Sequence, residues 1–221
     1  REFTAKLRVI KKDSDTKQTV LVPNAEFKIF NTDKNEYVKQ YTTYLSKVEH
    51  TSFFTDDDGD LILPEALKIG NYRIEEVSAP FGYVVNDKYV NISVDTDTAF
   101  ETDGDTNEAI ITVEYSDAPA VGEMTVEKKG EVLDGFKGGL LASSYEKELV
   151  YKEGSLAGAK FKVYAAEDIY TADNQKDADG NRIKYYSNGD LVTTLTTGKD
   201  GKATAKNLPL GQYRVVEVEA P

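Results

Sequence analysis

Apolar residues alternate with polar ones in short runs along the whole chain, and a period of two predicts strands. From Thr4 to Ile10, Ala5, Leu7 and Val9 share one face, and Lys11 is the next residue on it. Ala25, Phe27 and Ile29 form the inner face of a second strand. Residues 31–52 are polar and rich in tyrosine, a loop region with a short strand or helical turn. Phe53-Phe54-Thr55 then meets Asp56-Asp57-Asp58-Gly59-Asp60, a hairpin signal with glycine where positive φ is needed. Leu61, Leu63 and Leu67 lead to the run Tyr72-Arg73-Ile74-Glu75-Glu76, in which Tyr72, Ile74 and Glu76 fall on one face and Arg73 and Glu75 on the other. That strand stops at Ala79-Pro80, because proline cannot donate to a ladder. Val84 to Val94 reads as another strand. The last places Ile111, Val113, Tyr115 and Asp117 on one face before Ala118-Pro119.

The same spacing returns after Pro119. Met124, Val126 and Lys128 repeat the phase of Leu7, Val9 and Lys11, and Gly158 to Tyr164 mirrors the Ala25 strand. Gly198 to Gly201 mirrors the Asp58-Gly59 turn, and Tyr213, Val215 and Glu217 mirror Tyr72, Ile74 and Glu76 ahead of a second Ala220-Pro221. Short strands separated by turn signals describe sandwiches rather than βαβ units. The expected architecture is all-β, two tandem prealbumin- or Ig-like sandwiches over residues 1–119 and 120–221. The second has two longer excursions, roughly 131–155 and 167–190; within the first, Leu140 to Val150 is a candidate short helix or lid. It is also expected to lack its last strand or strands in this chain. The chain itself, which starts mid-phrase at Arg1-Glu2-Phe3, reads as an excerpt of something longer.

Composition removes whole classes of function. The net charge of −12 argues against nucleic acid or an anionic membrane as a partner of a basic face. No cysteine and one histidine nearly exclude zinc sites, Cys–His nucleophiles and a Ser–His–Asp arrangement. The lone His50, between Glu49 and Thr51, fits a surface loop better than a catalytic base. An exported chain without disulfides needs another source of durability. No apolar run approaches the roughly 20 residues that span a bilayer.

Charge turns up in the wrong places instead. Lys11, Glu76 and Asp117 each continue an apolar face, on three separate strands. Their plainest account is a buried salt bridge, a doubtful source of stability because desolvation offsets the attraction. Burial disfavours the charged form of amines and carboxyls alike. A buried amine can therefore act as a nucleophile, and a buried carboxylic acid can polarise a neighbouring carbonyl and move protons.

Tyr72 to Glu76, followed closely by Ala79-Pro80 and Gly82-Tyr83, resembles the E-box of Cna-B or SpaA-type domains, the isopeptide-forming modules of Gram-positive surface adhesins and pilins. The resemblance implies that Lys11 on the first strand joins Asp117 on the last, with Glu76 as proton shuttle. Lys128 and Glu217 are the matching candidates in the second domain, with no visible acceptor. The commoner acceptor of the family is Asn; with Asp117, water leaves instead of ammonia. Glu75 is the rival for the E-box role, but its parity faces outward. The implied protein is a structural stalk or shaft segment, extracellular and held at the cell wall by an anchor not in this chain. Its expected partners are neighbouring domains of the same protein; cofactor, metal, nucleic acid and membrane insertion are not expected. Its only chemistry would be one self-cross-linking event per molecule.

The alternative is a ligand-binding adhesin module whose second-domain loops grip a host protein or glycan. A transthyretin-like hydrolase would need a cluster of histidines. Weaker motifs do not change the picture. Asp56, Asp58 and Glu65 match part of an EF-hand loop, yet Phe54 and Pro64 intrude. Asp173 to Asn181 reads as a turn. Tyr41, Tyr44, Tyr185 and Tyr186 are a candidate sugar-binding face, though tyrosine is ordinary in exposed sheet.

Overall fold

A computed structural model describes residues 2–141 and 144–221, with side chains described outside 133–151. Every regular element among the described residues is a strand. The chain separates into two compact units, Arg1–Ala120 with Thr171–Ile183, and Val121–Tyr170 with Lys184–Pro221. The expected all-β class and paired prealbumin-like design are thus observed.

In the first unit, one sheet runs Glu101–Thr102, Ala109–Asp117, Thr4–Asp13, Asp60–Ile62. The Thr4–Asp13 and Ala109–Asp117 strands are parallel, with Lys11 opposite Tyr115 and Asp13 opposite Asp117. The other sheet runs Val90–Val94, Gly70–Ser78, Glu26–Asn31, Glu36–Tyr37. The alternation seen in sequence puts Leu7, Val9, Phe27, Ile29, Ile74, Ile111 and Tyr115 into one buried core. Burying a large apolar side chain stabilises by about 1.5–3 kcal/mol, so this set holds the two sheets face to face. Gly59 makes the expected turn with φ of 70°. A Cβ there would meet Val20 O at 2.4 Å, so glycine is needed for space as well as for backbone angle.

The second unit repeats these devices. Lys11 N–H donates to Gly59 O, and Lys128 N–H to Gly201 O. Ala25 N–H donates to Thr55 Oγ1, and Ala159 N–H to Thr197 Oγ1. Tyr72 OH donates to Lys68 O, and Tyr213 OH to Pro209 O. Val121–Glu127 pairs with Lys202–Pro209, and Lys160–Ala165 lies between Leu191–Thr196 and Tyr213–Glu219. Among the described residues, no strand flanks Val121–Glu127 on its other side as Ala109–Asp117 flanks Thr4–Asp13.

Three local expectations change. Lys129–Leu141 pairs antiparallel with Ser144–Ser155, so the described part of 140–150 is extended rather than helical; residues 142 and 143 lie outside the described residues. Cross-strand pairing along two long strands overrides a helical spacing that Gly138 and Gly139 already weaken. The strand expected over 84–94 is confined to Val90–Val94. Before it, Val84 N–H donates to Ala118 O and Asn86 N–H to a Glu76 carboxylate, so this stretch bonds outside any ladder. Residues 31–52 hold the short strands Glu36–Tyr37, Gln40–Thr42 and Val48–His50. His50 thus ends a short strand, with Nε2 2.9 Å from Thr42 Oγ1.

Candidate cross-linking site

Lys11 and Asp117 are side by side because their strands run parallel. Asp117 stands two residues beyond Tyr115, the register partner of Lys11, on the same inward face. Glu76 comes from the facing sheet. Its strand carries an irregularity there: Glu26 pairs with Ser78 and Phe27 with Glu76, leaving Val77 as an extra residue. Such a bulge bends the strand and re-aims its side chains. Val77 is exposed while Glu76 is buried.

The three side chains meet with none of their surface exposed. Lys11 Nζ lies 2.5 Å from Asp117 Oδ1 and 3.0 Å from Glu76 Oε2. It donates a hydrogen bond to Tyr115 O at 3.1 Å. Aromatic rings wall the group in: Nζ is 5.0 Å from the Tyr115 ring centre and 6.0 Å from that of Phe27, and the two rings pack edge to face. Despite its short distance, the amine is not aligned to hydrogen-bond either carboxyl. With both carboxyls ionised, neither Asp117 oxygen nor Glu76 Oε2 would have a hydrogen-bond donor.

Glu76 supplies the missing donor. Burial, first, and hydrogen bonding to the Asp117 carboxyl, second, push its pKa up to about 8, against the opposing pull of Lys11 and of Asn86 N–H. In its protonated form Glu76 can donate to Asp117, which two ionised carboxylates could not do. Its other oxygen, Oε1, is held by Asn86 N–H at 2.9 Å. Asn86 is fixed in turn by Tyr115 OH, which donates to Asn86 O at 2.7 Å, and by its own side chain on Ser116 O. Burial also raises Tyr115, to about 12, so its hydroxyl stays a donor.

The other sequence candidates fall elsewhere. Glu75 occupies the opposite face, as its parity requires, but it is covered rather than solvated. Tyr37 OH donates to it at 3.0 Å and Arg73 pairs with it at 3.0 Å. Lys128 and Glu217 meet at 3.1 Å, but with 31% and 33% of their side chains exposed. An ion pair this wet is worth roughly 0.2–1 kcal/mol. Lys128→Ala should therefore change stability by less than about 1 kcal/mol in denaturant titration, and Lys128 should react readily with an amine-labelling reagent that leaves Lys11 untouched. Asp56, Asp57 and Asp58 cluster at the surface as a hairpin turn, with Asp56 Oδ1 accepting from Asp58 and Asp60 N–H. Asp177 Oδ1 likewise closes a turn onto Asp179 and Asn181.

Sequence reasoning missed Asp13, Tyr83 and Asn86. Asp13 is wholly buried and accepts from Tyr83 OH at 2.7 Å. Its signal was available, since it is the next residue in phase after Lys11. Asn86 lies in an irregular stretch, where no period marks it.

A family model described as SpaA, prealbumin-like fold domain, matches residues 5–109 and 145–221. The matched spans include Lys11, Glu76 and Glu217 and stop short of Asp117 and Lys128. No curated protein sequence matches the chain. Among solved structures, it is similar to the TIE protein of Bacillus anthracis, with 22% identity and a TM-score of 0.50 over 99% of this chain and 29% of that one. A streptococcal ancillary pilin is 23% identical, with a TM-score of 0.37 over 99% of this chain and 54% of the other. BcpA, the major pilin subunit of Bacillus cereus, is 14% identical, with a TM-score of 0.37 over 99% and 89%. The chain thus spans about a third and about half of the first two, and at such identities the likeness speaks to fold alone. With both halves matched by one family model, and with the same backbone devices repeated in each, the chain belongs to the SpaA family of prealbumin-like fold domains.

Proposed function

We propose that this chain is a structural segment of the stalk or shaft of a Gram-positive cell-surface protein of the pilin or adhesin type. Its first domain is locked by an amide bond between Lys11 and Asp117. The observation that carries this reading is a wholly buried amine 2.5 Å from a carboxyl oxygen, with a second carboxyl, which burial pushes up to about 8, 3.0 Å from the same amine. The parallel strands hold nucleophile and electrophile together, supplying the proximity that amide synthesis in water lacks.

Two titrating protons are shared by the three groups, which leaves the cluster neutral. Moving one from the Lys11 ammonium to Asp117 gives an amine, two carboxylic acids and no net charge. Nζ then attacks Cγ of Asp117. Glu76 donates its proton to the departing hydroxyl and takes one back from Nζ. A C–N bond forms, the Asp117 C–O bond breaks, one water leaves, and Glu76 ends as it began.

Intact mass spectrometry tests this directly. The chain should weigh one water less than its sequence, and digestion should give a branched Lys11–Asp117 peptide; full mass and linear peptides throughout would overturn it. The sign of the pH dependence follows from Glu76. Above about 8 it loses its proton, the cluster gains a negative charge and the shuttle is spent. Freshly made chain should therefore cross-link steadily up to that pH, and about tenfold more slowly for each further unit.

Lys128 and Glu217 form the corresponding pair in the second domain, where among the described residues no third carboxyl or carboxamide joins them by ion pair or hydrogen bond. We assign Lys128 as an unlinked amine in this chain. A binding-module role is the weaker reading, because Thr171–Ile183, the centre of the excursion it would use, packs with the first unit.

A further inference from the structure

The sheet edge beside Lys11 is closed by residues from far along the sequence. On the side away from Ala109–Asp117, Lys11 N–H donates to Gly59 O and its carbonyl accepts from Val20 N–H, both at 2.9 Å. Lys12 and Thr19 form an isolated antiparallel bridge. Thr19 to Leu21 is therefore the next rung outward, and Val20 in it is wholly buried. The outward backbone groups of that rung include Leu21 N–H and the carbonyls of Thr19 and Leu21. Left open, they would form a free strand edge.

Residues 173–175 take all three. Leu21 N–H donates to Asp173 O at 2.8 Å. Gln175 Nε2 donates to Thr19 O at 2.9 Å, and Asn174 Nδ2 to Leu21 O at 3.5 Å. Asp173 is itself 1% exposed. Its carboxylate accepts from Thr16 Oγ1 and Thr171 Oγ1, each at 2.7 Å, and from Gln175 N–H at 3.0 Å. A buried carboxylate needs such partners, so these bonds pin the segment in one place. Thr16 belongs to the turn whose N–H groups are capped by Asp13, and Asp13 is held by Tyr83. Thr171 N–H bonds Ile183 O, which draws the two ends of the segment together.

We infer that Thr171–Ile183 is a strap that completes the first domain by pairing with Thr19 to Leu21, and that by keeping the Lys11 strand closed to water it sets how fast the Lys11–Asp117 bond forms. The first half of this inference is independent of cross-linking; the second rests on the reaction proposed above, which expels water from a dry site. The first domain would then mature only after the chain has been made as far as the strap.

The test uses the full chain with Asp173→Ala and, separately, Thr16→Ala, a turn substitution that leaves the fold intact. Amide hydrogen exchange reads the edge, and intact mass after a pulse of cell-free synthesis reads the bond. In both variants exchange at Val20 and Leu21 should rise at least tenfold, and loss of water should slow at least threefold. Unchanged exchange at Leu21 in both would overturn the strap. Raised exchange with loss of water at the native rate would overturn its control of the bond. Should the native chain never lose water, the cross-linking reading fails, while exchange at Leu21 still decides whether the strap closes the edge.

Discussion

Glu76→Gln is expected to leave a folded chain at its full sequence mass, while Glu75→Gln loses one water as the native protein does. The two residues are neighbours with the same side chain, so the contrast isolates position. Glu76 reaches the amine and the acceptor carboxyl from the opposite sheet, whereas Glu75 is committed to Tyr37 and Arg73. Glutamine keeps the volume and the oxygen that Asn86 N–H requires, but it cannot give up and recover a proton. The expected effect is close to all or none, because without the shuttle the remaining Lys11 and Asp117 relax into an ion pair. Loss of water in Glu76→Gln would show that the proton moves by another route. Loss confined to that variant and absent from Glu75→Gln would reverse the assignment.

The second large effect is on stability. Lys11→Ala should lower the melting temperature of the first domain by roughly 15–30 °C and open it to protease, read by calorimetry and limited proteolysis. Two effects point the same way. The bond would close a loop of about a hundred residues, which by analogy with a disulfide constrains the unfolded chain by roughly 4–5 kcal/mol. The substitution also leaves the wholly buried Asp117 carboxyl without the amine beside it, and leaving a buried charge unpaired costs about 3–5 kcal/mol. These effects overlap and do not add fully, since both act through the same side chain. Glu76→Gln, which loses the bond but keeps the cation, should fall between native protein and Lys11→Ala. A drop no larger than that of Lys128→Ala, whose partner is a third exposed, would mean that the link contributes little.

A stalk segment would gain from a bond that resists unfolding and from a strap that covers the Thr19 to Leu21 edge. With no cysteine, the chain has no disulfide with which to gain the same resistance.

The strands were legible in the sequence because a period of two is imposed locally: one face of each must be apolar to bury, and Leu7, Val9, Phe27, Ile29, Ile74 and Ile111 obey it. The same parity placed Lys11, Glu76 and Asp117 inward, since a charged residue in phase with buried neighbours has nowhere else to point. The duplication was visible for the same reason, as two copies of one pattern. Only the tertiary structure decided which inward charges meet. The parallel register offsets Lys11 from Asp117 by two residues, and the Val77 bulge positions Glu76, yet neither leaves a mark in local periodicity. The covering of Glu75 by Tyr37, the clasp of Asn86 on Glu76, and the docking of Asp173 to Gln175 on Thr19 to Leu21 depend on residues 38 to 156 positions apart or on irregular backbone. Such contacts are selected by the packing of the finished sheets, because no short stretch of chain holds both partners.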